Sequence, residues 1–181
     1  MRAVFLDRDG VINKYPGDKK YVTSWKGFAF LPGAKSAIAR LHKNKFKIFI
    51  ISNQAGVGNG LFSQKALDTI TRNMLAAIKK AQGKIDAAFY CTHTKEENCP
   101  CRKPRAGLID KARKIYPVNI RDSFFIGDTI RDVDTARRAG CKSILVLCGK
   151  EKLSNRKDWE TQPDFVFKDL LEAAKFILRS K

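Results

Sequence analysis

Two aspartates, Asp7 and Asp9 in FLDRDG, open a series of groups able to handle phosphate, and Ser52 in IISNQ, Lys103 in CRKP and Asp128 in FFIGD follow at wide spacing. In an extended segment side chains two apart share a face, so both carboxylates can meet one ligand. Gly10 lets the backbone turn away beneath it. Like charges that close are costly without a cation between them. With Asp128 as a third oxygen donor, octahedral Mg²⁺ is the expected occupant. That ion, together with Lys103, would offset the repulsion between an attacking carboxylate and a phosphate dianion. Singly, Asp7 and Asp9 would also suit a turn or cap, Ser52 a strand end and Asp128 a helix N-cap. Jointly they describe one phosphate site.

A second constellation is Cys91-Thr92-His93 followed by Cys99-Pro100-Cys101. Each C-x-H or C-x-C pair sets two ligands on one side of an extended segment, and two such segments facing one another make a tetrahedron suited to Zn²⁺. Four protein ligands leave no open position, so this zinc is expected to be structural and to brace the segment that presents Lys103. The alternative is that the thiols are ordinary core residues. Cys141 and Cys148 flank an apolar strand and are read that way. His42, near the end of a Lys-rich helix, is read as a solvated C-terminal residue.

The elements that must position these groups alternate. Short strands are expected at Ala3 to Leu6, Phe46 to Ile51, Ala87 to Tyr90, Phe124 to Ile126 and Ser143 to Leu147, with an edge strand at Phe165 to Phe167. Between them lie one-face helical patterns: Ala34, Ala37, Ile38 and Leu41; Leu67, Ile70, Met74 and Ile78 after a Ser63 N-cap; Leu108, Ala112 and Ile115; Val133 and Ala136 up to Gly140. Leu170, Ala174, Ile177 and Leu178 form the last. Such βαβα order specifies an α/β fold, a three-layer Rossmann-like parallel sheet with right-handed crossovers. Asp7, Ser52 and Asp128 then all reach the carboxyl edge of the sheet, where open α/β folds bind ligands.

At 181 residues, with 44% apolar and 30% charged side chains, the chain has the size and composition of one globular domain over residues 1–181, with the zinc loop at 91–105. No membrane-length apolar run or signal-peptide order is present, and five cysteines, an odd number, argue against a secreted disulfide framework, so a cytoplasmic location is expected. Thirty-six Lys and Arg against eighteen Asp and Glu give a formal charge of +18, which favours anionic partners. The basic residues are spread in runs no longer than two, however, which argues against a dedicated nucleic-acid surface. No exposed heptad or long apolar face is evident, and a monomer is expected.

Taken in order, Asp7-Arg8-Asp9-Gly10, Ser52, Lys103, and Asp128 with Asp132 resemble the motifs of the haloacid dehalogenase-like phosphohydrolases over most of the chain. The resemblance implies that Asp7 is the nucleophile, Asp9 the general acid and base, and Ser52 with the Asn53 backbone N–H a phosphoryl-oxygen site. It also implies that Lys103 is the charge neutraliser, with Mg²⁺ on Asp7, Asp128 and the Asp9 backbone carbonyl, while Asp132 positions a metal-bound water. FLDRDGVIN, SNQAG and the Cys/His loop followed by CRKP are similar to the branch containing heptose-bisphosphate phosphatases and the histidinol-phosphate phosphatase domain. This implies a small phosphorylated substrate, Zn²⁺ on Cys91, His93, Cys99 and Cys101, and substrate contacts from Asn53, Gln54, Arg102 and Arg105. Asn59 and Thr129 stand where the heptose enzymes typically carry cations, which leaves the exact substrate open. Histidinol phosphate, a nucleic-acid end phosphate and a noncatalytic zinc-bearing nucleic-acid module are the alternatives. There is no room for a large cap domain, so loops, chiefly Lys14 to Leu31 and Cys91 to Arg105, must cover the site. Tyr15, Tyr21 and Trp25 are candidates to touch substrate there.

Overall fold

The computed structural model describes residues 1–180. Six strands, β1 (Ala3–Leu6), β2 (Lys47–Asn53), β3 (Ala87–Cys91), β4 (Phe124–Gly127), β5 (Lys142–Val146) and β6 (Phe165–Phe167), form one sheet in the order β3-β2-β1-β4-β5-β6. Every pairing is parallel. The five helices are α1 (Ala34–Lys43), α2 (Gln64–Lys80), α3 (Gly107–Ile115), α4 (Ile130–Ala139) and α5 (Leu170–Arg179).

The central strands are buried on both faces, which is why they read as continuous apolar runs rather than alternating ones. Val4, Leu6, Ile48, Ile50 and Ile126 pack on one side with α1, α2 and α5. Ala3, Phe5, Phe49, Ile51 and Phe125 pack on the other with α3 and with Ala136 of α4. A fully buried Ile such as Ile50 contributes roughly 1.5–3 kcal/mol of transfer free energy, and Ile50→Ala would cost about 2–5 kcal/mol with the cavity included.

Helix ends follow their expected chemistry. Ser63 accepts from the Ala66 N–H at the start of α2, and Gly140, at φ 80°, ends α4 in the left-handed conformation. One expectation fails: Ile115 is 64% exposed, and Ile109 joins Leu108 and Ala112 in the core instead. Among the described residues no separate cap domain is present. The chain between β1 and α1 holds only a short 3-10 turn, and the chain between β2 and β3 holds α2.

Candidate active site

Register places the first groups. Leu6 pairs with Ile50 on one side and Ile126 on the other. Asp7, Ser52 and Asp128, just past those residues, therefore emerge at one level of the carboxyl edge. The Asp7 N–H donates to the Ile126 carbonyl at 3.0 Å, which continues the β1–β4 pairing up to the site. Lys103 arrives from the loop before α3 and completes the group. Its ammonium lies 2.9 Å from Asp7 Oδ2 and 2.6 Å from Asp132 Oδ1, and its side chain is only 3% exposed.

Carboxylate oxygens of Asp7, Asp128 and Asp132 lie within 4.8 Å of one another. Burial pushes the Asp7 carboxyl up to about 6, with the Lys103 charge opposing and the Asp132 and Asp9 charges adding to the rise. This lies above the ordinary carboxylate value near about 4 and below neutrality, so Asp7 is ionised at neutral pH. Burial, followed by the Asp132 and Asp7 charges, raises Asp128 well above its ordinary value. Three crowded carboxylates against one ammonium leave a net negative, desolvated site, which fits a hard divalent cation with oxygen ligands. The loop after β5 shapes this nest. A Cβ added at Gly10 or at Gly149 would fall 2.1 Å from Asp128 Oδ2, and the Lys150 N–H donates to the same oxygen at 2.8 Å.

Asp132 is more engaged than expected. Its Oδ1 takes Lys103, while its Oδ2 accepts both the N–H and the hydroxyl of Thr129 in a capping box at the start of α4. Thr129, which stands where the resemblance places a cation in the heptose enzymes, is thereby a cap residue.

The open space is a cavity of about 430 Å³ lined by Asp7, Asp9, Ser52, Asn53, Arg102, Lys103 and Asp128, with the Tyr15–Tyr21 loop and Lys150 around its mouth. Tyr15 and Tyr21, read from the sequence as candidates to touch substrate, border this cavity. Trp25 does not: it stacks on Phe28 with ring centroids 5.0 Å apart and belongs to an aromatic cover of the core. Gln54, expected to touch substrate, is fully buried, and its amide donates to Asp9 Oδ2 at 2.8 Å and Ser52 Oγ at 3.1 Å. Arg105 is also turned from the cavity, holding the carbonyls of Asn98 and Cys99 in the Cys/His loop. Arg102 lines the cavity and also reaches the His93 carbonyl at 3.3 Å.

The second cluster closes as the spacing suggests. Cys91 Sγ lies 3.5 Å from Cys99 Sγ, Cys99 Sγ lies 3.4 Å from Cys101 Sγ, and His93 Nδ1 lies 3.3 Å from Cys101 and 3.7 Å from Cys91. Ligand atoms about 2.0–2.3 Å from a shared centre would show edges of this size, so the set fits a tetrahedral zinc. Burial and the neighbouring thiols push Cys91 up to about 12. At Cys99 burial also raises the thiol, but hydrogen bonds from Cys101, Cys91 and the backbone outweigh it and hold the group near about 7. Cys141 is in the core, and Cys148 donates to the Gly10 carbonyl at 3.2 Å.

Sequence reasoning passed over Arg8, Asn13, Gly149 and Lys150. Only Arg8 carried a signal, a charged residue lodged between two site carboxylates at the end of an apolar strand.

The HAD-hydrolase-like family model matches residues 100–173. A Bordetella bronchiseptica protein named D-glycero-beta-D-manno-heptose-1,7-bisphosphate 7-phosphatase is 32% identical over 99% of this chain and 99% of its own. A Helicobacter pylori protein of the same name is 33% identical over 96% of this chain and 98% of its own. The crystal structure of the B. bronchiseptica D,D-heptose 1,7-bisphosphate phosphatase, complexed with magnesium and phosphate, superposes with a TM-score of 0.93 over the whole of both chains. That of the Burkholderia thailandensis enzyme, 27% identical, does so at 0.75, again over both chains in full. With the sheet order, the carboxylate cluster and full-length likeness in agreement, the chain belongs to the haloacid dehalogenase-like phosphatases, in the branch that holds the heptose-bisphosphate phosphatases.

Proposed function

We propose that the chain hydrolyses D-glycero-D-manno-heptose 1,7-bisphosphate at the 7-phosphate, through an aspartyl-phosphate intermediate and with Mg²⁺. The observation that carries this reading is the meeting of Asp7, Asp128, Asp132 and Lys103 at one cavity, in a chain whose full-length relatives bear that activity in their names. The cavity volume suits a small metabolite better than a duplex or a long strand. We take residues 1–181 as one catalytic unit that works as a monomer in the cytoplasm.

In the first half-reaction an Asp7 carboxylate oxygen attacks phosphorus, the Asp–phosphorus bond forms, and the bond to the sugar oxygen breaks with its electron pair leaving on that oxygen. Asp9 gives this oxygen a proton. Lys103 and the Ser52–Asn53 strand end hold the equatorial phosphoryl oxygens, where charge accumulates. In the second half-reaction water attacks phosphorus, Asp9 takes a proton from it, and Asp7 is released. Asp7, Asp128 and the Asp9 carbonyl would hold Mg²⁺, which supplies charge neutralisation for the phosphoryl group. Cys91, His93, Cys99 and Cys101 would hold a structural zinc that fixes the loop before Lys103.

The test is phosphate release from heptose bisphosphate, histidinol phosphate and a 5′-phosphorylated oligonucleotide, with and without Mg²⁺, for the natural chain and for Asp7→Asn. Heptose bisphosphate should be the best substrate, and Asp7→Asn should lower turnover by about 10³-fold or more. Full turnover in that variant refutes the mechanism, and a preference for either other substrate refutes the assignment.

A further inference from the structure

Asp9 sits in an unusual set of contacts. Arg8, fully buried, grips its carboxylate at both oxygens, with Nη2 at 3.0 Å from Oδ1 and 2.9 Å from Oδ2 and Nε at 3.3 Å from Oδ1. Asn13 Nδ2 donates to Oδ1 at 2.8 Å, and Gln54 Nε2 donates to Oδ2 at 2.8 Å. Asn13 and Gln54 are themselves fully buried. Among the described residues Asn13 Oδ1 and Gln54 Oε1 are buried with no protein partner within hydrogen-bond geometry, and Arg8 Nη1 has none within that geometry although the Arg8 guanidinium lies against the Tyr90 hydroxyl. Each belongs to one of the residues that bind Asp9.

An unmatched polar atom in the interior costs roughly 1–3 kcal/mol, whereas apolar replacements of the same shape are often neutral or better. Three buried polar side chains gathered on one carboxylate are a costlier filling of the interior than apolar groups of the same shape. Local stability given up in this way collects where function needs a fixed geometry. Gln54 also joins Asp9 to Ser52, so the carboxylate that serves the leaving group and the hydroxyl at the phosphoryl site are set by one amide. That linkage is of no evident use to the sheet, because Ser52 already lies within the β2–β3 pairing.

We infer that Arg8, Asn13 and Gln54 are positioning residues that aim the Asp9 carboxyl at the leaving-group oxygen, with Gln54 also tying that aim to Ser52. The inference rests on the proposed role of Asp9. None of the three touches the cavity, so each acts through Asp9: when the bond between phosphorus and the leaving oxygen breaks, the electron pair goes to that oxygen and the Asp9 proton follows only if the carboxyl is held within hydrogen-bond reach.

A leaving-group series separates positioning from general structural support. An alkoxide such as a sugar hydroxyl needs the proton, whereas p-nitrophenolate departs without one. Gln54→Met keeps length and apolar volume but makes no hydrogen bond. It should lower kcat/KM at least tenfold more for sugar phosphates than for p-nitrophenyl phosphate and steepen the dependence of rate on leaving-group basicity across aryl phosphates. Its melting temperature should be unchanged or raised. Arg8→Lys, which keeps the charge but not the two-oxygen grip, should show the same split, and if it does not fold Gln54→Met decides alone. Equal losses on all substrates, or no loss, overturn the positioning role while leaving the hydrolase reading intact. Failure of the natural chain to release phosphate from any member of the series sinks the hydrolase reading and the positioning role with it.

Discussion

The Asn53 side-chain amide clasps the Lys103 backbone at both ends, accepting from its N–H at 3.1 Å and donating to its carbonyl at 3.2 Å. A residue at the end of β2 thus holds the backbone of a lysine fifty positions later, whose ammonium lies between Asp7 and Asp132. Each bond contributes about 1 kcal/mol net. Asn53→Ala is expected to lower stability by about 1–3 kcal/mol in urea titration and kcat by roughly 10- to 100-fold through misplacement of the ammonium. Asn53→Asp keeps the acceptor but faces a charge to the Lys103 carbonyl, so it should be no better than Ala. Normal turnover in both would show that the Cys/His loop alone sets Lys103.

Gly149 offers a second check. Its Cβ would collide with Asp128 Oδ2 at 2.1 Å, and Asp128 is 1% exposed, so the carboxylate has little room to yield. Gly149→Ala should leave the sheet intact while turning Asp128 out of place. The expected result is an approximately 10- to 100-fold rise in the Mg²⁺ concentration needed for half-maximal phosphate release, with a melting curve close to the natural one. An unchanged Mg²⁺ requirement would argue that Asp128 is not a metal ligand.

These two residues also show where reading the sequence stops. Asp7, Ser52 and Asp128 could be found because each ends an apolar run, and in a parallel sheet that local pattern implies a shared edge. The Cys/His loop could be found because its ligands fall on two short segments of the chain. The Asn53–Lys103 clasp, the Lys103–Asp132 pair and the Gly149 contact join segments far apart, and nothing local announces them. Gln54 was misread for a related reason. It follows Ser52 and Asn53 in a motif-like string, but its N–H bonds the Cys91 carbonyl and its own carbonyl accepts from Val57, so the chain turns there and its side chain goes beneath the site rather than into it. Trp25 was misread because an aromatic in a loop near the site carries no sign of whether it faces ligand or core.

Zinc removal should act at a distance. Cys101 lies two residues before Lys103, and the loop from Cys91 to Arg105 includes little regular structure that could hold its own shape. Metal analysis should find one zinc per chain. Stripping it with a strong chelator, then restoring Mg²⁺ alone, should leave both the melting temperature and kcat reduced; added Zn²⁺ should recover them. Cys99→Ser should mimic the stripped state. A chain purified without zinc that melts and turns over normally would return these thiols to the core.

Acid stability depends on a group outside the site. The Asp86 carboxylate accepts from Lys47 Nζ at 2.9 Å and from the Ile48 N–H at 3.0 Å, with Lys84 Nζ at 3.5 Å, and so ties the segment before β3 to the start of β2. Burial pushes this carboxyl up, but the Lys47 hydrogen bond, the Ile48 N–H and the charges of Lys47 and Lys84 together hold it below the ordinary value. A folded-state value below the unfolded one means that the stabilisation is complete above the unfolded value near about 4 and is lost as pH falls through the folded value. Asp86→Asn should therefore cost about 1–2 kcal/mol at neutral pH. The gap between the variant and the natural chain should narrow as urea titrations are carried below about pH 4. A gap that stays constant across that range would mean that the charge contributes nothing and that only the shape of the side chain matters.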